Sequence, residues 1–140
     1  MTRAAIIDAG PIVAFLARGS AEHAWALDQW KLLPAPLLTC DVVLAEAAHL
    51  LRRHQIPPDV LTGMIERGVL ALAFDLQAEA SAVSRLLKRY RDVPMSLADA
   101  CLVRMSELIP EATVLTLDSD FLIYRRHGRQ PIPTLMPSSV

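Results

Sequence analysis

Hydrophobic residues in this chain follow two rhythms. Short, continuous apolar runs of strand length fall at Ala4 to Asp8, Leu37 to Cys40, Val69 to Phe74 and Ala112 to Leu117. Between them, apolar residues recur at helical spacing. Gly10-Pro11 opens a first helix, with the proline preset for its first turn. Ser20 is placed to cap a second, running through Leu33 around Trp25 and Trp30, and Asp41 to cap a third from Val42 to His54. Pro57-Pro58-Asp59 starts a fourth, which Gly68 ends. A fifth spans Gln77 to Arg91, and a sixth, capped by Ser96, runs to Leu108 and stops at Pro110. A short helix over Phe121 to Arg126 and a last strand at Pro133 to Met136 complete the pattern. Apolar strands alternating with helices predict a sheet covered on both faces. The expected fold is an α/β three-layer sandwich with a central, mainly parallel sheet flanked by helices.

Composition narrows this further. A chain of 140 residues with 53% apolar content fits one domain over 1–140 and excludes disorder. Lys and Arg number 14 against 15 acids, so bulk charge does not announce a nucleic-acid binder, and any such role needs local clusters. No apolar run approaches the roughly 18 residues of a membrane helix. Asp8 and Pro11 interrupt the apolar N-terminus, so no signal peptide is expected. Cys40 and Cys101 lack framework or metal spacing and read as reduced, buried residues of a cytoplasmic protein.

Placement of the acids changes the picture most. Ligands bind open parallel sheets beyond the carboxyl ends of the strands. Asp8 and Asp118 follow two of the predicted strands directly, with Asp120 close behind. Glu46 and Asp99 interrupt otherwise apolar helices, where an ionised carboxylate is costly unless paired or bound to metal. Hard oxygen donors suit Mg²⁺ or Mn²⁺, which can activate water for attack at phosphorus. Blander readings stay open. Glu46, His49 and Arg53 could form a solvated stripe, Asp99 could share a polar arc with Ser96 and Ser106, and Asp8 and Asp118 could simply cap turns.

Three segments resemble the PIN-domain ribonucleases, particularly VapC-type toxins of toxin–antitoxin pairs. They are Ile6-Ile7-Asp8-Ala9-Gly10-Pro11-Ile12-Val13-Ala14, Pro94-Met95-Ser96-Leu97-Ala98-Asp99-Ala100-Cys101-Leu102-Val103 and Leu115-Thr116-Leu117-Asp118-Ser119-Asp120-Phe121, with Glu46 between the first two. The resemblance covers essentially the whole chain. It implies a PIN-like fold and a metal-dependent endoribonuclease holding Mg²⁺ or Mn²⁺ with Asp8, Glu46, Asp99 and Asp118. Asp120 would join directly or through water, Thr116 would hydrogen-bond a ligand from behind, and Ser96 and the Ala9-Gly10 backbone would neighbour substrate. It further implies an RNA substrate, a cognate antitoxin and a homodimer.

Three basic groups could draw RNA to an acidic site: Arg52-Arg53-His54, Lys88-Arg89-Tyr90-Arg91, and Tyr124-Arg125-Arg126-His127-Gly128-Arg129. The last is favoured, with Arg125, Arg126 and Arg129 as phosphate contacts and Tyr124 as a stacking ring; its plainer reading is a solvated helix end. The first two read as solvated faces. Trp25 and Trp30 read as partner-facing surface or, more simply, as core anchors. His23, His49, His54 and His127 have no triad or zinc spacing. Two other functions compete. An aspartyl-phosphate enzyme using Asp8 would want an aspartate where Gly10 stands, and a non-enzymatic PIN-like RNA- or protein-binding module needs no intact acid set.

Overall fold

A computed structural model describes residues 4–138. Five strands, β1 (Ala5–Ile7), β2 (Leu37–Thr39), β3 (Leu70–Leu72), β4 (Thr113–Leu115) and β7 (Thr134–Leu135), form one sheet in the order β3-β2-β1-β4-β7. Every pairing in it is parallel. Six helices flank the sheet: α1 (Ala9–Leu16), α2 (His23–Leu32), α3 (Asp41–Leu51), α4 (Asp59–Glu66), α5 (Leu76–Arg89) and α6 (Leu97–Leu108). The expected three-layer α/β sandwich is therefore present. A separate two-stranded antiparallel ribbon joins β5 (Arg125–Arg126) to β6 (Gln130–Pro131).

Burial follows strand position. The central strand β1 is wholly buried, and Ile6, Ile7, Val114 and Leu115 on β1 and β4 have no exposed surface, whereas the edge strand β7 is only half-buried. This is why the inner strands read as unbroken apolar runs. Helix α6 is the most deeply set. Its residues Ala100 to Val103 are fully buried, and the hydroxyl of its buried Ser106 donates to the Val103 carbonyl at 2.6 Å.

Several predicted boundaries shift for local reasons. Helix α2 starts at His23 after Glu22, because Ser20 Oγ accepts only a long 3.4 Å bond from the Glu22 N–H and the chain turns before the helix begins. Asp41 is the first residue of α3 rather than its cap, and that helix tightens into a 3-10 turn over Arg52–His54. Asp75, not a residue of the predicted span, caps α5 by accepting from the Gln77 and Ala78 N–H groups. No helix forms over Phe121 to Arg126. Ser119–Leu122 makes a 3-10 turn and the chain then enters the ribbon. Trp25 and Trp30 pack against the core, with Trp30 stacked on Phe15 at 3.9 Å between centroids, so the core-anchor reading holds.

Strand order places a switch point between β1 and β4. From β1 the chain winds outward through β2 to β3, then returns across the sheet to β4 on the far side of β1. Crevices that accept ligands form where the winding reverses. Leu102, fully buried on the helix that spans this return, is a direct probe of the packing. Leu102→Ala is expected to lower stability by about 2–5 kcal/mol, measured by chemical denaturation.

Candidate active site

Beyond the carboxyl ends of β1 and β4 lies a cleft of about 240 Å³. Asp8, Glu46, Asp99 and Asp118 all line it, together with Ala9, Gly10, Leu50 and Leu117. The parallel register sets Ile7 opposite Leu115, so Asp8 and Thr116 emerge side by side. The Thr116 hydroxyl donates to Asp8 Oδ2 at 2.8 Å and accepts the Asp118 N–H at 3.0 Å. One buried threonine thus fixes a carboxylate on one strand and the backbone carrying a second on its neighbour. Asp8 Oδ1 also accepts the Ala9 N–H at 2.7 Å, and Asp118 Oδ1 accepts the Asp120 N–H at 2.9 Å. Both residues therefore cap the turns that follow them and also line the cleft. Gly10 admits close packing at the cleft floor, since a Cβ there would come within 3.2 Å of the Leu117 side chain.

The helical acids arrive from two directions. Ser96 Oγ accepts the Asp99 N–H at 3.0 Å, which sets Asp99 in the first turn of α6. Asp99 is only 8% exposed and Ser106 is fully buried, so the polar-arc reading of this helix fails. Glu46 is half-buried on α3, which packs against α6.

The PIN-domain family model matches residues 5–126, a span containing all of these acids. The chain belongs to the PIN domain family. No curated protein matches it. PIN domains are commonly nucleases, which makes the cleft the natural place to look for hydrolytic chemistry.

Electrostatics sharpen the picture of this PIN domain. The cleft lining holds four acids and no lysine or arginine. Among the described residues the salt bridges all lie elsewhere, at Arg104. Burial pushes the Asp8 carboxyl up to about 7, against the pull of the Thr116 and Ala9 hydrogen bonds, and the charges of Asp99 and Glu46 add to the rise. Burial likewise raises Glu46, reinforced by Asp99 and Asp118. It raises Asp99 too, opposed by the Tyr124 hydroxyl and reinforced by Asp118. Even so, no three His, Cys, Asp or Glu side chains among the described residues form a ready-made metal cluster.

Tyr124 is the residue that sequence reasoning misplaces. Its ring is fully buried, so it offers no stacking platform; instead its hydroxyl donates to Asp99 Oδ2 at 2.8 Å. Phe121 and Tyr90 hold the ring by edge contacts at 5.2 and 5.1 Å between centroids. The only sequence signal is an aromatic residue soon after the closing acids. Asp120 does not line the cleft, although its charge, after burial and the Asp99 bond, helps keep the Tyr124 phenol protonated.

The favoured basic group comes apart. Arg126 is 7% exposed and donates to the Pro110 and Ala112 carbonyls, so it ties the ribbon to the start of β4 and is not available to RNA. Arg125 folds back on the carbonyls of Leu122, Ile123 and Tyr124. Arg129 alone of the three is exposed.

Asp8 makes stability depend on pH in the metal-free protein. Below about pH 4 the carboxyl is protonated in both folded and unfolded chains and costs nothing. Between about pH 4 and 7 the unfolded carboxyl ionises while the folded one keeps its proton, so stability falls as pH rises, and above about 7 the folded state carries the buried charge at a constant cost. Asp8→Asn should therefore stabilise the protein at pH 8, by on the order of a few kcal/mol, and leave it unchanged at pH 4. Thermal melts in a chelating buffer at both pH values check this.

Proposed function

We propose that this PIN domain is a divalent-metal-dependent endoribonuclease that hydrolyses RNA phosphodiester bonds. The observation that carries this reading is the gathering of Asp8, Glu46, Asp99 and Asp118 on one cleft with no cationic side chain in its lining. An all-oxygen donor set in which the Asp8, Glu46 and Asp99 carboxyls are raised by burial and mutual repulsion suits a hard cation such as Mg²⁺ or Mn²⁺. Those four residues would hold it, with Asp120 joining through water. When bound, such a cation neutralises the acids and activates water for in-line attack. The chain's own part is orientation. Thr116 holds Asp8 by its second oxygen, and Tyr124 holds Asp99 by one of its two. Gly10 lets the start of α1 pack closely on Leu117 at the cleft wall.

The same reading extends to a cytoplasmic toxin of a toxin–antitoxin pair, acting as a homodimer and restrained by its cognate antitoxin. Leu122 and Ile123, 56% and 52% exposed just after the closing aspartates, support apolar cover by a partner. Cys40 and Cys101 are both free thiols, as a reducing compartment would keep them. No helix is long and apolar enough to cross a membrane among the described residues.

A second reading is a non-enzymatic PIN-like binding module. The hydroxyl partners of Asp8 and Asp99 favour it, because they support both buried acids without a cation.

Cleavage of a labelled RNA separates the two. Activity dependent on Mg²⁺ or Mn²⁺, abolished by chelation and by Asp8→Asn or Asp99→Asn, is the expected result. Cleavage that persists in both purified variants removes the carboxylate mechanism, and a parent protein inert with every divalent metal leaves the binding module. Tyr124→Phe deletes one oxygen and keeps the ring. It should lower activity or metal affinity about 10- to 100-fold while leaving the fold intact, read by metal titration of the cleavage rate alongside a thermal melt.

A further inference from the structure

The cleft creates a problem that it cannot solve. Four carboxylates repel a phosphate chain, and the protein carries a net charge of −1, so affinity for RNA must come from a local basic surface elsewhere. The ribbon arginines expected to supply it are largely turned to other work. A different set of cations converges in space. Helices α5 and α6 and the tip of the ribbon border a second, open cavity of about 350 Å³, larger than the cleft, whose lining includes Arg85, Arg89, Arg104, Glu107, His127 and Gly128. It joins two basic segments that are far apart in sequence, because Arg89 Nη2 donates to the Gly128 carbonyl at 2.7 Å. Gly128 permits that approach. Its φ is +81°, and a Cβ there would come within 2.7 Å of Arg89 Nη1.

The cavity's single acid is already engaged. Glu107 Oε1 accepts from Arg104 Nη1 at 3.0 Å, and Oε2 accepts the His127 N–H at 2.7 Å. Arg104 is further held by Glu79 at 2.7 Å, so it serves as a fixed wall more than as a free cation. Arg85 and Arg89 differ. Both are exposed, and among the hydrogen bonds of the described residues each guanidinium has one partner, Ser81 Oγ for Arg85 and Gly128 O for Arg89. The remaining N–H groups of two planar forks therefore flank the cavity, and a fork of this kind matches the paired oxygens of a phosphate.

We propose that the Arg85–Arg89 cavity is a phosphate anchor for single-stranded RNA, separate from the acid cleft and holding a part of the strand that is not being cut. The proposal rests on the nuclease reading for its choice of RNA, but its binding half can be tested alone. The probe is a fluorescently labelled single-stranded oligoribonucleotide, titrated with Asp8→Asn protein in Mg²⁺ at several salt concentrations and followed by anisotropy. Adding Arg85→Glu should weaken binding roughly tenfold at low salt, and the salt slope should fall by roughly 0.7 for each phosphate that is no longer neutralised. Arg89→Gln should act in the same direction. In the otherwise unaltered protein, Arg85→Glu should raise KM for RNA by a larger factor than it lowers kcat. Among the hydrogen bonds of the described residues, the Arg85 side chain has only the exposed Ser81 as partner, so an unchanged melting temperature is expected and guards against misfolding.

Unchanged affinity and salt slope in both arginine variants would overturn the anchor while leaving the nuclease reading intact. If the parent protein cleaves no RNA, the nuclease reading fails, yet loss of RNA binding in the variants still upholds the anchor. Polyglutamate that binds the cavity in an Arg85-dependent way, with no RNA binding there, would assign the site to an acidic protein partner and overturn the proposal.

Discussion

Carboxylates brought together without a cation repel one another, and each also loses water when it is buried. Both costs fall on the edge of the sheet where β1 and β4 meet, and much of the surrounding structure reads as a response to them. Thr116 and the Ala9 N–H give Asp8 hydrogen bonds that favour its charge, yet burial and the neighbouring acids still hold its carboxyl near neutrality. Tyr124 and Ser96 do the same for Asp99 with the same incomplete result. A site balanced in this way is strained toward positive charge. Any divalent cation that entered would relieve repulsion that the protein's own groups leave uncompensated.

The supports come from a short stretch of chain. Thr116, Asp118 and Tyr124 all follow β4, and the aromatic cluster of Phe121, Tyr90 and Tyr124 locks the last of them beneath α6. Arg126 then anchors the ribbon by donating to two backbone carbonyls, at the cost of leaving its buried Nε without a partner and its guanidinium proton held less tightly through burial. Arg125 and Arg126 are therefore committed to architecture, while Arg129 stays exposed. Further charge faces solvent on α5, at Arg85 and Arg89, which line a cavity that shares no residue with the acid cleft.

How much of this can be read from the chain depends on the range of the interaction involved. Strands, helices and the strand-end acids Asp8 and Asp118 are legible because apolar periodicity and sequence order determine them locally. Glu46 and Asp99 are ambiguous by pattern, since helical spacing alone does not say which face of α3 meets α6. Ordered resemblance to PIN-domain ribonucleases singles them out, and the structure brings both to the cleft. Tyr124 and Arg126 are misread for a common reason. Each acts on a partner distant in sequence, Asp99 and Pro110 respectively, and nothing in a local window distinguishes an arginine that binds a carbonyl from one that waits for phosphate.

The pairing of Thr116 with Asp8 also bears on how the chain finds its own alignment. Strands β1 and β4 are short and almost purely apolar, and such strands discriminate weakly between neighbouring alignments. Sliding β4 by one residue would set Leu117 beside Asp8 and leave a buried carboxylate facing hydrocarbon. The hydroxyl thus works as a proofreading contact: the alignment that completes the acid cleft is also the one in which both oxygens of the innermost carboxylate have a donor.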